Sequence, residues 1–409
     1  MASNQFFMAE AYIFDAVRTP RGKGKKDGSL HEVRPVRLVT TLLQALKDRN
    51  QLDTSLVEDL VLGCVTQIGE QGGELGKTVS MAAGYNQRVA GVTVNRFCAS
   101  GLEAVNQIAA YVMSGQVELG IAAGVESMSR IAMGSDGGAM YMDPAVAVPT
   151  YFVPQGVAAD LLATKYGYSR LDADSFAVES HQKASVARAA GKFNRSIVPV
   201  KDINGLVILD KDETIRENAS VEAMSSLAPS FEQYGQMGGF DAVAIQKYPE
   251  IERVIHIHHA GNSSGIVDGA SAMIIGSKAA GERSGLKPRA KIRSFCVIGT
   301  EPTIMLTGPM PATLKAVEKA GLKLQDIDLF EVNEAFAAVV LRFMHELNIP
   351  ADKVNVNGGA IAMGHPLGAT GGVILGTLLD ELEYRNKRYG VATLCVGGGM
   401  GIATVIERV

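Results

Sequence analysis

The chain is 409 residues long, 47% hydrophobic and 20% charged, with a formal net charge of −4. That length exceeds a single core and allows two or three domains, and the balance of charge gives no ground for a protein that binds nucleic acid or anionic membranes. No apolar run reaches the ~18–20 residues of a membrane-spanning helix, and the four cysteines (Cys64, Cys98, Cys296, Cys395) form no C-x-x-C pair of the kind found in zinc ribbons.

The N-terminal stretch MASNQFFMAEAYIFDAVRTP has no basic region leading into an apolar one, and the chain ends in ERV rather than a peroxisomal address. A cytoplasmic protein with free thiols is expected. Abundant glycine and absent tryptophan favour close-packed α/β layers joined by tight turns.

In chain order, AYIFDAVRTP (11–20) predicts a strand entering a loop, and VEDLVLGCVTQ (57–67) an apolar strand closed by a polar turn. GVTVNRFCASG (91–101) predicts the strand Val92–Val94, then a helix carried by Leu102, Val105, Ile108, Ala109 and Val112. VELGIAAGVES (117–127) predicts another buried strand. The same series returns later as AKIRSFCVIG (290–299), DIDLFEVNEAF (326–336), KVNVNGGAIAMGHPLG (353–368) and YGVATLCVGGG (389–399). Four matches in one order predict a duplicated α/β unit with a largely parallel sheet in each half. The expected division is a first half of 1–127 plus 267–287, an insert of 128–266, and a second half of 288–409.

The insert opens with MSRIAMGSDGGAMYMDPAVAVPTYFVPQG, a Met-, Gly- and Pro-rich run that predicts loops. DADSFAVESHQKASVARAAGKF then predicts an amphipathic helix with Phe176, Ala177 and Val186 on its apolar stripe. The insert either covers a site or makes an oligomer contact. In HIHHAGNSSG (256–265), His256 and His258 would share one face of an extended chain, with His259 opposite. No cysteine and few carboxylates lie near in sequence, so these histidines read as polar pocket residues rather than metal ligands.

Cys98 falls at the joint between strand and helix. There, free N–H groups and the helix dipole would lower a thiol's pKa; a buried, inert cysteine is the alternative. His365 sits at the matching joint of the second half, before Pro366 and a helix through Val373, Ile374, Leu378, Leu379 and Leu382. If the halves pack about a pseudo-two-fold axis, the two helix starts approach and can form a Cys–His pair; a core histidine is the competitor. Cys395 follows the strand Val391–Leu394 and precedes GGGMG. Too little chain follows for a dinucleotide-binding unit, so these glycines read as backbone that comes close to a substrate and offers N–H donors to an oxyanion. Asn333 ends a strand of the second half, where it either orients a water or carbonyl or simply serves a turn.

NRFCASG around Cys98, AGNSSGIVDGAS (260–271), VNEAFA (332–337), GGAIAMGHPLGATG (358–371) and CVGGGMG (395–401) resemble the successive signatures of the thiolase family, in its order and over nearly the whole chain. The resemblance implies the thiolase fold: two pseudo-symmetric βαβαβαββ halves in a layered α/β sandwich, with an inserted loop domain. It implies homodimers, often paired into tetramers, acting on acyl-CoA with coenzyme A as co-substrate and with no resident cofactor or metal. Carried over by residue, Cys98 is the acyl-accepting nucleophile, and His365 activates it and shares an oxyanion hole with a water held by Asn333. Cys395 is the second acid/base, and the N–H groups of Cys98 and Gly397 form the other oxyanion hole. Ser264 touches the pantetheine, and Ala260 and Phe336 line the pocket. The basic residues Lys183, Arg188, Lys192 and Arg195 would form a solvated helix face or meet the coenzyme A phosphates.

Two segments depart from the family pattern. EQYGQMGGFDAVAIQKYPEIERVIHIHH separates Pro229-x-Phe231 from the Ala-Gly-Asn segment, and QGVAADL (155–161) stands in place of Met-Gly-x-Thr-Ala-Glu. The long segment is similar to that of thiolases that shorten steroid side chains. Both changes fall near the implied acyl pocket, so thiolytic cleavage of 3-ketoacyl-CoA chains larger than acetoacetyl, as in β-oxidation, is the expectation. The alternatives are an acetoacetyl-CoA-specific acetyltransferase, a decarboxylating condensing enzyme, a cysteine-dependent acyl-CoA hydrolase and a non-catalytic CoA-binding protein. A condensing enzyme would pair its cysteine with two histidines or His and Asn, which Cys395 opposes.

Overall fold

The structure, a computed structural model, describes residues 9–409; residues 1–8, on which the expectation of no secretory leader partly rests, lie outside it. Nine strands and the two-residue segment Gly22–Lys23 form a ten-stranded sheet. The nine are β1 (Ala11–Arg18), β2 (Asp59–Gly63), β3 (Val92–Val94), β4 (Leu119–Ser127), β5 (Val267–Gly276), β6 (Ala290–Gly299), β7 (Leu329–Val332), β8 (Tyr389–Val396) and β9 (Met400–Arg408).

Outward from the centre the strands run β1-β5-β4-β2-β3 on one side and β6-β9-β8-β7 on the other. The senses match: β4 and β2 are parallel, as are β8 and β7, while β5 and β9 are antiparallel to both neighbours. β1 and β6 join the halves by antiparallel pairing of Ala11–Ile13 with Ala290–Ile292. The four repeated segments thus occupy equivalent places about a pseudo-two-fold axis.

One predicted strand is missing. Residues 354–356 make only a single parallel bridge, Val354 with Phe330, where β3 pairs fully with β2. Asn355 adopts a φ of +45°, and its side chain substitutes for backbone pairing. Its Oδ1 accepts from Val332 N and its Nδ2 donates to Val332 O, both at 2.8 Å. A side-chain amide reproduces the peptide's donor and acceptor, so the strand is replaced by a turn without orphaning β7.

Seven helices complete the frame: α1 (Pro35–Asn50), α2 (Ser100–Met113), α3 (Gln155–Tyr166), α4 (Arg170–Ala189), α5 (Pro309–Lys319), α6 (Ala337–Leu347) and α7 (Thr370–Tyr384). α2 and α7 lie between the halves, where Leu102, Val105 and Ile108 meet Leu375, Leu378 and Leu379 among residues of both half-sheets. α1 covers the outer face of the first half through Leu38, Leu42 and Leu46, and α5 covers that of the second. The insert runs through turns and short helices from 128 to 154, then packs α3 and α4 on the second half's outer core. Among the described residues, no helix is long and apolar enough to cross a membrane.

On α4 the buried residues are Ala173, Phe176, Ala177, Ser180, Ala184 and Ala187, at helical spacing, with the polar Asp174 and His181 beside them, whereas Val186 is 70% exposed. The apolar stripe is one of small residues, which seats the helix close to its neighbours, and Val186 lies off it. The basic residues there face carboxylates: Lys183 with Glu179, Arg188 with Glu217, Lys192 with Glu381 and Arg195 with Glu383.

The α2–α7 crossing is made by glycine. A Cβ on Gly371 would lie 2.1 Å from Leu102 N, and one on Gly101 would lie 2.7 Å from Gly368 O. Later in α7, a Cβ on Gly376 would meet only Ala16 and Met273 side chains, at 3.5 Å. Gly371→Ala should therefore destabilise by about 1–3 kcal/mol through overpacking against backbone, while Gly376→Ala should be neutral or stabilise by up to ~1 kcal/mol. Thermal unfolding of the two variants measures the contrast, and equal melting points would refute the close crossing.

Candidate active site

The turns that precede α2 and α7 come together at the crossing. Cys98 is 5% exposed and packs with Val65 and Leu367, the latter two residues beyond His365. Phe97, just before it, holds φ at +45°, a strained value for a non-glycine residue that marks a sharply turned backbone. The Gln155 amide and the N–H groups of Cys98 and Gly397 lie near enough to the Cys98 sulfur to act against the effect of its burial. Cys395 stands near the end of β8, buried and close enough for the charge of Cys98 to act on it. Gly397 then enters the hairpin turn between β8 and β9, so the glycine run is a hairpin and not a nucleotide loop.

His365 is held on three sides. Its backbone N–H donates to Gly265 O at 2.9 Å, Nδ1 contacts Thr370 Oγ1 at 2.5 Å and Nε2 faces Asn333 Nδ2 at 3.2 Å. Thr370 gives its hydroxyl proton to Pro366 O, so Nδ1 must donate and Nε2 carries the lone pair; this tautomer is assigned from the network. α7 begins at Thr370, four residues later than Pro366 suggests. Pro366 instead supplies the carbonyl that accepts from Ala369 and Thr370 N–H.

Burial dominates the electrostatics. It lifts the Cys98 thiol to about 11 against the opposing pull of its three N–H donors, so the expectation that a helix start lowers this pKa does not hold: the desolvation cost is larger. Burial, aided by the charge of Arg21, lowers His365 to about 3. Burial and the neighbouring Cys98 push Cys395 upward as well. At neutral pH the site holds two thiols and an uncharged imidazole.

Ser264 is half-buried, and its N–H donates to Ala335 O at 2.9 Å; Ser263 bridges Phe336 in the same loop. Phe336 is buried, with Phe231 and His258 edge-on to its ring at 5.8 and 5.4 Å. Ala260 is exposed at the start of this loop and shares none of these contacts. The three histidines form a hydrogen-bonded network whose carboxylates are distant in sequence. His256 and His258 each meet Asp160 at 2.7 Å, and His259 meets Asp174 at 2.8 Å. Burial would lower His256, but Asp160 and Asp241 outweigh it and raise it to about 9.

Several supports carry no local sequence signal. Glu126 is buried between the halves and accepts from Val65 N, Thr66 N and Gln71 Nε2 of the first and from Gly368 N of the second, at 2.8–3.1 Å. Arg21 joins Asp212 of the insert to the carbonyl of Gly364, next to His365. Thr370 contacts His365 directly, and Gln155 lies near enough to Cys98 to act on its pKa. Only a through-space view finds these residues.

Comparison with known proteins agrees with this architecture. The family model described as "Thiolase, N-terminal domain" matches residues 11–246, and that described as "Thiolase, C-terminal domain" matches 286–408. A 3-ketoacyl-CoA thiolase of Bacillus subtilis is 39% identical, covering 98% of this chain and 100% of that protein. One of Alcanivorax borkumensis is 41% identical, with 98% of each covered. Among solved structures, the Bacillus anthracis acetyl-CoA acetyltransferase is 33% identical with a TM-score of 0.85, covering 99% of this chain and 100% of that one. In sequence and in fold, the chain belongs to the thiolase family.

Proposed function

We propose that the protein cleaves 3-ketoacyl-CoA thiolytically, with Cys98 as the nucleophile, releasing acetyl-CoA and an acyl-CoA shortened by two carbons, the step that closes a turn of fatty-acid-type β-oxidation. What supports this reading is that Cys98 packs with Leu367, two residues beyond the buried His365, and that Cys395 is buried within range of the charge of Cys98.

His365 Nε2 takes the Cys98 proton as the sulfur adds to the 3-keto carbon. The resulting Nε2–H, with a water held by Asn333, faces the new alkoxide, and such an oxyanion donor supplies ~3 kcal/mol to the transition state. The alkoxide collapses with cleavage of the C2–C3 bond, and the acetyl-CoA enolate, held by the N–H groups of Cys98 and Gly397, takes the Cys395 proton. Coenzyme A then enters, gives its thiol proton to the Cys395 thiolate, and attacks the acyl-cysteine. Cys98 leaves as thiolate and recovers its proton from His365. A second thiol has work only where a carbanion must be protonated, which disfavours a hydrolase or a passive CoA-binding protein.

Ser264, Phe336 and Ala260 are read as contacts for pantetheine and acyl chain. The long segment 232–259 contains helix Phe240–Lys247, with Phe240 edge-on to Phe152 at 6.5 Å, and added aromatic surface of this kind supports chains longer than acetoacetyl. The protein is further read as cytoplasmic and as a dimer paired into a tetramer. Strand β3 supports association: it ends the sheet with only β2 as partner and Val92 37% exposed, an edge that invites a second copy.

Incubation with coenzyme A and 3-ketoacyl-CoAs of rising length should release acetyl-CoA, with kcat/KM higher for medium chains than for acetoacetyl-CoA. Cys98→Ala should lose at least 10³-fold, an order of magnitude set by loss of the covalent route; free acid in place of shortened acyl-CoA would defeat the proposal. Because His365 is a base only while neutral, and its pKa is lowered to about 3, kcat/KM should not fall as pH drops through the ordinary histidine value near 6.5. A histidine-like acid limb there would contradict its assignment. Light scattering should give four times the 43.2 kDa chain mass; a monomer mass would exclude the assembly.

A further inference from the structure

Helix Phe240–Lys247 has little of its own to hold it. Ala244 is its one buried residue, and its N-cap, Gly239, offers no side chain to the first turn. Its far end is tied down by Tyr248, whose Oη donates to Glu301 Oε2 at 2.5 Å. At its start, Asp241 makes one hydrogen bond among the described residues, to His256 Nε2 at 3.0 Å, and its Oδ1 is buried without a partner. The other ring nitrogen of His256 meets Asp160 Oδ2 on α3 at 2.7 Å. An ionised carboxylate only accepts, and an imidazole donates from both nitrogens only when each carries a proton. His256, its side chain 3% exposed, is therefore an imidazolium between two carboxylates. The charged groups facing it are Asp160 from α3 and Asp241 from the short helix, with His258 sharing Asp160. Helix Glu232–Gln236 closes over the pair with backbone: a Cβ on Gly235 would lie 2.6 Å from His256 Cε1 and 2.3 Å from Asp241 Oδ1.

We propose that His256 is a positioning residue for acyl-chain selectivity: its imidazolium latches the start of helix Phe240–Lys247 to α3 and so fixes Phe240 against Phe152. Phe240 directly precedes Asp241, and whatever holds that carboxylate holds the aromatic ring beside it. Loss of one proton leaves His256 a single N–H to share. Asp160 is fully enclosed and keeps three other donors, the N–H groups of Ile257 and His258 and Nδ1 of His258. Asp241 has no other donor among the described residues, and its side chain is 17% exposed, so it can turn to water. The latch therefore opens at Asp241, and the helix start is released with Phe240. The inference rests on the reading of the reaction as thiolysis of chains longer than acetoacetyl, which gives Phe240 a substrate to meet.

The test compares thermal midpoints of the wild type, His256→Gln and Asp241→Asn across the range from neutral to alkaline pH, together with steady-state kinetics at neutral pH. With the pKa of His256 raised to about 9, the latch's contribution is complete below the ordinary imidazole value of about 6.5 and is lost as pH rises through 9. The wild type should melt well above His256→Gln at the neutral end, and the gap should close at the alkaline end. In Asp241→Asn the amide accepts from the charged ring and, turned over, donates to the neutral one, so its midpoint should fall less than that of the wild type over the same range. His256→Gln should raise KM for a medium-chain 3-ketoacyl-CoA about fivefold, the size of one net hydrogen bond, with kcat little changed. A gap that stays constant with pH, or an unchanged medium-chain KM, would overturn the inference and leave the thiolysis reading in place. Should His256→Gln fail to fold, the Asp241→Asn comparison decides alone, and a fall equal to that of the wild type overturns it. A wild type that cleaves no 3-ketoacyl-CoA defeats the underlying reading, and the selectivity role with it, while the melting curves still decide whether the latch exists.

Discussion

Two helices whose N-terminal turns cross through glycine set the terms for everything else. α2 and α7 meet where Gly101 and Gly371 lie against backbone, and the turn before each helix is thereby forced against the other. One turn carries Cys98 and the other His365, so the distance between the reactive groups is governed by backbone packing and not by the reach of flexible side chains. Glu126 fastens the same seam with a single buried carboxylate that takes donors from both halves. Such a charge is tolerated because its oxygens are supplied with N–H groups; removing its partners would leave it buried and unpaired.

The dryness that permits close packing also shapes the chemistry. Cys98, Cys395 and His365 are all uncharged at rest because burial raises the thiols and lowers the imidazole. A stable thiolate–imidazolium pair is therefore not the starting point. On the proposed mechanism charge arises as bonds form, and N–H groups already in place require no rearrangement to receive it. Arg21 contributes from a distance: anchored on Asp212, it both ties the insert to the His365 turn and discourages protonation of that ring.

Much of this was legible in the sequence, for a physical reason. Strands buried on both faces must be apolar runs, so β1, β2, β4 and β8 stand out, while β6 shows by alternation, and the repetition exposes the duplicated fold. Cys98 and His365 are visible because each ends such a run just before a helical pattern. What fails is whatever depends on partners remote in the chain. Asn355 looks like part of a strand, because nothing local says that its amide will bond Val332. Val186 looks apolar enough to be buried, yet the helix turns its alanines inward. The carboxylates that satisfy His256, His258 and His259 come from α3, α4 and helix Phe240–Lys247, far away in sequence. The Cys98 pKa was misread because a helix start is a local feature and burial is not.

The hairpin between β8 and β9 has a bearing on how the protein is made. β9 is not an edge: it lies between β6 and β8, and Gly397, just before it, is near enough to Cys98 to act on its pKa. On the ribosome, Cys98 emerges roughly 300 residues before that strand, as the numbering of the two segments shows. β5 (Val267–Gly276) follows only later in that interval, and the core around α2 waits for residues of the second half such as Leu375 and Leu378. The surroundings that bury Cys98 are therefore complete only in a chain that has already closed its second half.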